Sequence, residues 1–207
     1  MVLPLFDQNK CFIGSATLLD NKFLVTAAHC LHGETTIPTC INSEFFIRYE
    51  GEYIQLPVPL FEKYIPKAKT SKLCNEYSDI SIFQAPNVLK SSKNSFKLKW
   101  PDPPLECDAT VDLVGFCDDL NEPKVSSGKI LNSQMAITNI SENDSCMRTF
   151  NNCFRVSNFL CKGSSGGAIV HDNCCVGIIV FGMPLSSKSL GSTVALKASY
   201  IKSLLLC

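Results

Sequence analysis

Apolar residues along this chain gather in short runs, and glycine, proline, asparagine and aspartate separate them. The runs are Cys11–Ile13, Lys22–Thr26, Phe45–Tyr49, Tyr53–Pro57, Ile80–Gln84, Thr110–Gly115, Gly167–Val170, Val176–Phe181 and Thr193–Leu196. Runs of this length bounded by turn formers read as β-strands, and their spacing suits an antiparallel barrel or a sandwich. In Ile80-Ser81-Ile82 apolar and polar residues alternate, as in a half-buried strand. Ala168–Val170 and Val176–Val180 predict a hairpin across His171-Asp172-Asn173, which holds two turn formers. Helical periodicity is clear only in Ala198–Leu206. The polar stretch Ala85–Glu106, with Pro101, Pro103 and Pro104, reads as a crossover between two halves.

Composition narrows the class. The 207 residues are 45% apolar, enough for a sizeable core in one compact unit. Nineteen basic residues balance nineteen acidic ones, with no basic block. That argues against nucleic acid or an anionic membrane surface as partner. No apolar run approaches membrane-spanning length. Twelve cysteines read as a disulfide framework in an oxidising compartment. Zinc is disfavoured, because no two-residue-spaced cysteine pair and no paired histidine is present. Two glycosylation sequons, at Asn139 and Asn143, favour secretion and an extracellular location. The start Met1–Asp7 lacks the basic and apolar regions of a signal peptide, so either a leader has been removed or the chain stays in the cytosol.

Three segments carry chemistry: Thr26-Ala27-Ala28-His29-Cys30, Ser78-Asp79-Ile80 and Gly163-Ser164-Ser165-Gly166-Gly167. A serine hydroxyl is a weak nucleophile until a neighbouring base takes its proton, and that base needs a carboxylate to fix its tautomer. With Gly14-Ser15-Ala16-Thr17-Leu18, these motifs resemble chymotrypsin/trypsin-type serine proteases over nearly the whole chain. The resemblance implies an all-β fold: two antiparallel Greek-key β-barrels and a short C-terminal helix. It implies a single peptidase unit over 1–207, with an N-terminal barrel (1–95) giving His29 and Asp79. A C-terminal barrel with the helix (96–207) would give Ser165. His29 is then the general base, Asp79 its orienting carboxylate and Ser165 the nucleophile, with the N–H groups of Gly163 and Ser165 as oxyanion hole. The alternatives are a turn serine, a structural histidine and a surface carboxylate. The implied activity is a serine endopeptidase that acts on protein or peptide substrates, meets protease inhibitors and needs no cofactor or metal. A catalytically impaired homologue acting as a binding protein is the second reading.

The chain departs from the family at four places. Ser164 stands where an aspartate usually precedes the nucleophile and pairs with a new N-terminal amine, and the Ile-Val-Gly-Gly-type start is absent. The family's partner for Cys30 falls at Gly14 rather than Cys11. Three residues of strand move a side chain by about 10 Å, so a Cys11–Cys30 bridge requires local rearrangement. Phe159, followed by Leu160, takes the place of the acidic specificity residue, which excludes a Lys/Arg preference and predicts a shallow apolar pocket. Val180-Phe181-Gly182 replaces Ser-Trp-Gly as the segment that pairs with substrate, and Ile179 argues against glutamine specificity.

Overall fold

The computed structural model describes residues 1–32, 44–64, 78–99, 105–118, 122–132, 135–137, 148–150, 152–183 and 191–206. The elements run β1 (Val2–Phe6), β2 (Phe12–Leu19), β3 (Phe23–Thr26), α1 (His29–His32), β4 (Phe46–Tyr49), β5 (Glu52–Gln55), β6 (Phe61–Tyr64) and β7 (Asp79–Gln84). They continue with β8 (Lys97–Leu98), β9 (Thr110–Gly115), β10 (Lys124–Asn132), β11 (Met135–Ile137), β12 (Arg148–Phe150), β13 (Cys153–Ser157), β14 (Ala168–His171), β15 (Cys174–Met183), β16 (Ser192–Lys197) and α2 (Ala198–Leu205).

The fold is mostly β with one short C-terminal helix. The first sheet has seven strands in the order β5-β4-β1-β2-β3-β7-β6. The second has the order β14-β9-β10-β13-β16-β15-β8, and an added β14–β15 pairing closes six of these strands into a barrel. β8 joins that barrel from outside, parallel to β15. β11 and β12 pair with each other.

Local sequence explains the details. β1 is buried at all five positions, as an apolar run between two neighbours should be. Its Pro4 pairs with Ser15 of β2, while β4 reaches only Leu5 and Phe6, so the missing N–H costs no ladder bond on that side. The β14–β15 hairpin turns on Asp172 and Asn173, both at positive φ (48° and 59°). That is a two-residue turn matched to strand twist, and His171 belongs to the strand before it. β15 slips register between Ile179 and Phe181, a bulge at the site edge.

One apolar cluster runs through both sheets. It joins Leu5, Leu18, Leu24, Ile80 and Ile82 of the first to Ala168, Ile178, Val194, Leu196 and α2's Ile201. A second cluster, with Leu113, Phe154, Val156, Ile169 and Ile179, fills the closed barrel.

The cysteines correct one expectation. Among the described residues a single bridge, Cys117–Cys161, is formed, with Cα atoms 5.8 Å apart. Cys11, Cys30, Cys107, Cys153, Cys174 and Cys175 are free thiols. The Cys11–Cys30 bridge is therefore absent: Cys11 is exposed at a turn while Cys30 is buried against Gly14. Burial pushes the Cys175 thiol up to about 12 and Cys153 higher still, so both behave as small apolar residues. Cys40, Cys74, Cys146, Cys207, both sequons and Pro101, Pro103 and Pro104 lie outside the described residues. Among the described residues no helix is long and apolar enough to cross a membrane.

Candidate active site

β3 ends at Thr26, and the fully buried Ala27 and Ala28 carry the chain into α1. Small side chains there let the turn lie against the sheet, and α1 begins with His29. β3 pairs with β7 so that Thr26 faces Ser81, which sets Asp79, the first residue of β7, beside His29. Asp79 is 1% exposed. Its Oδ1 accepts the His29 backbone N–H at 2.8 Å, and its Oδ2 lies 2.7 Å from the ring Nδ1. A buried carboxylate held this way keeps the proton on Nδ1 and leaves Nε2 as the reactive nitrogen.

Burial pushes the His29 imidazole down. The adjoining Cys30 sulfur and the Asp79 hydrogen bond and charge outweigh that and raise it to about 10. Cys30 Sγ lies 3.8 Å from His29 Nε2 and 3.8 Å from the Ser165 carbonyl oxygen. A Cβ on Gly14 would sit 2.7 Å from that sulfur and 3.5 Å from the Cys30 Cβ. Gly14 is thus the position facing Cys30, as the sequence alignment implied.

Ser165 sits in the loop between β13 and β14. Gly163 and Gly166 have φ of +93° and +85°. A Cβ at Gly166 would strike the Ser15 carbonyl and the Thr26 hydroxyl, so only glycine fits. The loop rests on β2. The Ser15 N–H donates to the Ser165 carbonyl (2.8 Å), and the Ser15 hydroxyl donates to the Gly163 carbonyl (3.0 Å). The Thr17 hydroxyl donates to the Gly166 carbonyl at 2.8 Å. From the second sheet, the Ile179 carbonyl accepts the Gly166 N–H at 2.7 Å. Among the described residues, the N–H groups of Gly163 and Ser165 have no acceptor.

Ser164 is 4% exposed, and its hydroxyl donates to the Cys161 carbonyl at 2.8 Å. Among the described residues Ser165 Oγ makes no hydrogen bond to His29 Nε2. Apo sites often hold this pair loosely, and it tightens with substrate.

The predicted substrate side divides. β14 pairs with β15 only as far as Ile178, so Val180–Gly182 has β16 along one edge and no strand on the other among the described residues. The Phe159 ring lies directly on Gly182, where any Cβ would collide with it. Leu160 turns away and packs toward Gly115, its Cδ2 3.2 Å from where a Cβ there would be. Val180 is fully buried.

Sequence reading missed Ser15 and Thr17, which hold the serine loop, Thr26, whose hydroxyl donates to the Ser15 carbonyl at 2.7 Å, and His32. His32 closes α1 and is buried; its Nε2 lies 2.7 Å from Glu62 Oε1, and its ring stacks on Tyr64. The signal was available: polar residues inside apolar runs, as in Gly14–Leu18 and Ile80–Ile82, must find partners when buried.

The trypsin family profile matches residues 6–205. Over 187 residues the chain is 26% identical to snake venom serine protease NaSP of Naja atra, covering 83% of this chain. The chain spans 61% of that relative's length. The active form of the Rv3671c protease from M. tuberculosis superposes with a TM-score of 0.65 at 13% identity, over 99% of this chain and 79% of that one. Human heparin binding protein gives 0.66 at 13% identity, over 99% and 88%. The two structures share the fold, and the match along nearly the whole sequence decides the family: this chain belongs to the trypsin family of serine proteases.

Proposed function

We propose that the protein is a serine endopeptidase. Ser165 Oγ attacks the substrate carbonyl carbon while His29 Nε2 takes its proton. Asp79 holds the imidazolium, and the N–H groups of Gly163 and Ser165 receive the oxyanion. His29 then protonates the leaving amine, and water releases the acyl group from Ser165 by the reverse sequence. The observation that carries the reading is the bidentate Asp79–His29 contact beside a serine loop whose Gly163 and Ser165 N–H groups have no acceptor among the described residues. The chain's own side chains complete this chemistry without a cofactor.

Substrate is an extended peptide added along the free edge of β15 at Val180–Gly182. Phe159 covers Gly182, so the side chain before the scissile bond is small or medium-sized and apolar. The partners are protein or peptide substrates and inhibitors that mimic them. The Cys117–Cys161 bridge and the venom relative support a secreted location.

A second reading, a binding protein with impaired chemistry, draws on the Phe159 ring over Gly182 and on the open Ser165–His29 pair. Fluorophosphonate labelling separates the two. Wild type labels at Ser165 and Ser165→Ala does not; a folded wild-type protein that never labels would refute the peptidase.

A further inference from the structure

A second carboxylate lies beneath the site. Glu62 is on β6, whose pairing with β7 sets Glu62 opposite Ser81 and Tyr64 opposite Asp79. Glu62 Oε1 lies 2.7 Å from His32 Nε2, and Glu62 Oε2 accepts the Ser81 hydroxyl at 2.7 Å. His32 is the last residue of the single turn that His29 begins. Ser81 is fully buried on β7, two residues after Asp79 and so on the same face of that strand. One carboxylate therefore bridges the element that carries the proposed base and the element that carries its orienting acid. His32 is fixed in turn by the Tyr64 ring, parallel to within 5° at 5.4 Å between centroids.

A helix of one turn has little hold on its own direction, because nucleation gains too few hydrogen bonds to repay the fixed dihedrals. α1 is instead clamped at both ends from the neighbouring strands: Asp79 takes the N–H and ring of His29, and Glu62 takes the ring of His32. We infer that Glu62 is a positioning residue for His29, acting through His32 and Ser81 to hold α1 against β7. It touches neither substrate nor the reacting atoms. The inference rests on the peptidase reading for its kinetic consequence, though not for its structural one.

The test compares wild type, Glu62→Ala, Glu62→Gln, His32→Ala and the double variant Glu62→Ala/His32→Ala. A displacement of about 1 Å at a reacting group is worth on the order of a hundredfold. Glu62→Ala is expected to slow fluorophosphonate labelling and kcat by roughly tenfold to a hundredfold, with KM little changed. Glu62→Gln, which keeps the acceptor for Ser81, recovers part of the rate. The double variant loses little beyond Glu62→Ala, because His32 acts through that carboxylate, while His32→Ala alone keeps the Ser81 contact and loses less. Proton NMR of the His29 Nδ1–H, with titration of the ring, reports its geometry without catalysis: the low-field signal weakens in Glu62→Ala and returns in Glu62→Gln. If wild type never labels, the peptidase reading fails while the NMR comparison still decides the clamp. If Glu62→Ala folds with the wild-type NMR signal and labelling rate, the inference is wrong. Should Glu62→Ala not fold, His32→Ala and Glu62→Gln carry the same comparison.

Discussion

At the scale of single residues, His29 dominates. Its pKa stands at about 10: burial works against the charged form, but Cys30 and Asp79 more than offset it. A base must be neutral to accept a proton, so the rate of labelling should climb as pH rises toward about 10. The sign for stability is opposite. A pKa raised above its unfolded value contributes stability that is full below about 6.5. That stability is lost as pH passes about 10. Cys30→Ala removes one source of the shift, so its rate profile should move to lower pH; an unchanged profile would mean the sulfur does not act on the ring. Ser165→Ala should cost on the order of 10⁴-fold or more in kcat, and adding His29→Ala should cost little further, since the members act together. Ser164 also bears on activity. Its hydroxyl is satisfied inside its own loop, so labelling should not depend on trypsin nicking near Met1. Labelling that begins only after such a cut would contradict this.

Among the elements, the Cys30 region offers a direct trial. The 3.5 Å between a Gly14 Cβ and the Cys30 Cβ falls within the span a disulfide needs. Gly14→Cys should therefore bond to Cys30 under oxidation and raise stability by about 3 kcal/mol, read as a higher Tm than the reduced protein. Phe159→Ala should uncover Gly182 and shift cleavage toward larger apolar residues. Each methylene admitted is worth about 1–3 kcal/mol in such a pocket, visible as a ratio of kcat/KM values. These elements were unevenly legible in the sequence. The hairpin at Asp172-Asn173, the terminal helix and the three motifs could be read because turn chemistry and local pattern agree with the fold there. β10 could not: Lys124–Asn132 is polar, and its Val125 and Leu131 face solvent, so its periodicity points the wrong way. The strand runs read from the sequence leave out β13, and β1 is weighed only as a leader. Both are strands because partners elsewhere in the chain supply their hydrogen bonds, which no local window contains.

For the whole molecule, the apolar cluster through both sheets predicts that they unfold together. Calorimetry on the intact chain should give one transition with equal calorimetric and van't Hoff enthalpies. Two resolved transitions would show that the sheets are held separately. The Cys117–Cys161 bridge spans 44 residues and ends at the loop that holds Ser164. Its reduction should cost about 4 kcal/mol by loop-closure entropy, measured as a fall in Tm.

The serine loop's dependence on β2 reaches beyond this chain, to any effort at transplanting it. The carbonyls of Gly163, Ser165 and Gly166 are directed by Ser15 and Thr17, which stand near the opposite end of the sequence and in the other sheet. Ser15 also accepts the Phe116 N–H at 2.9 Å, so its hydroxyl donates to one chain segment and accepts from another. The loop's curvature is thus borrowed from a strand it does not contain. Grafted alone onto a foreign barrel, Gly163–Gly167 would keep its glycines and lose its shape. A graft that keeps it must bring a strand patterned as Gly14–Thr17 along with it.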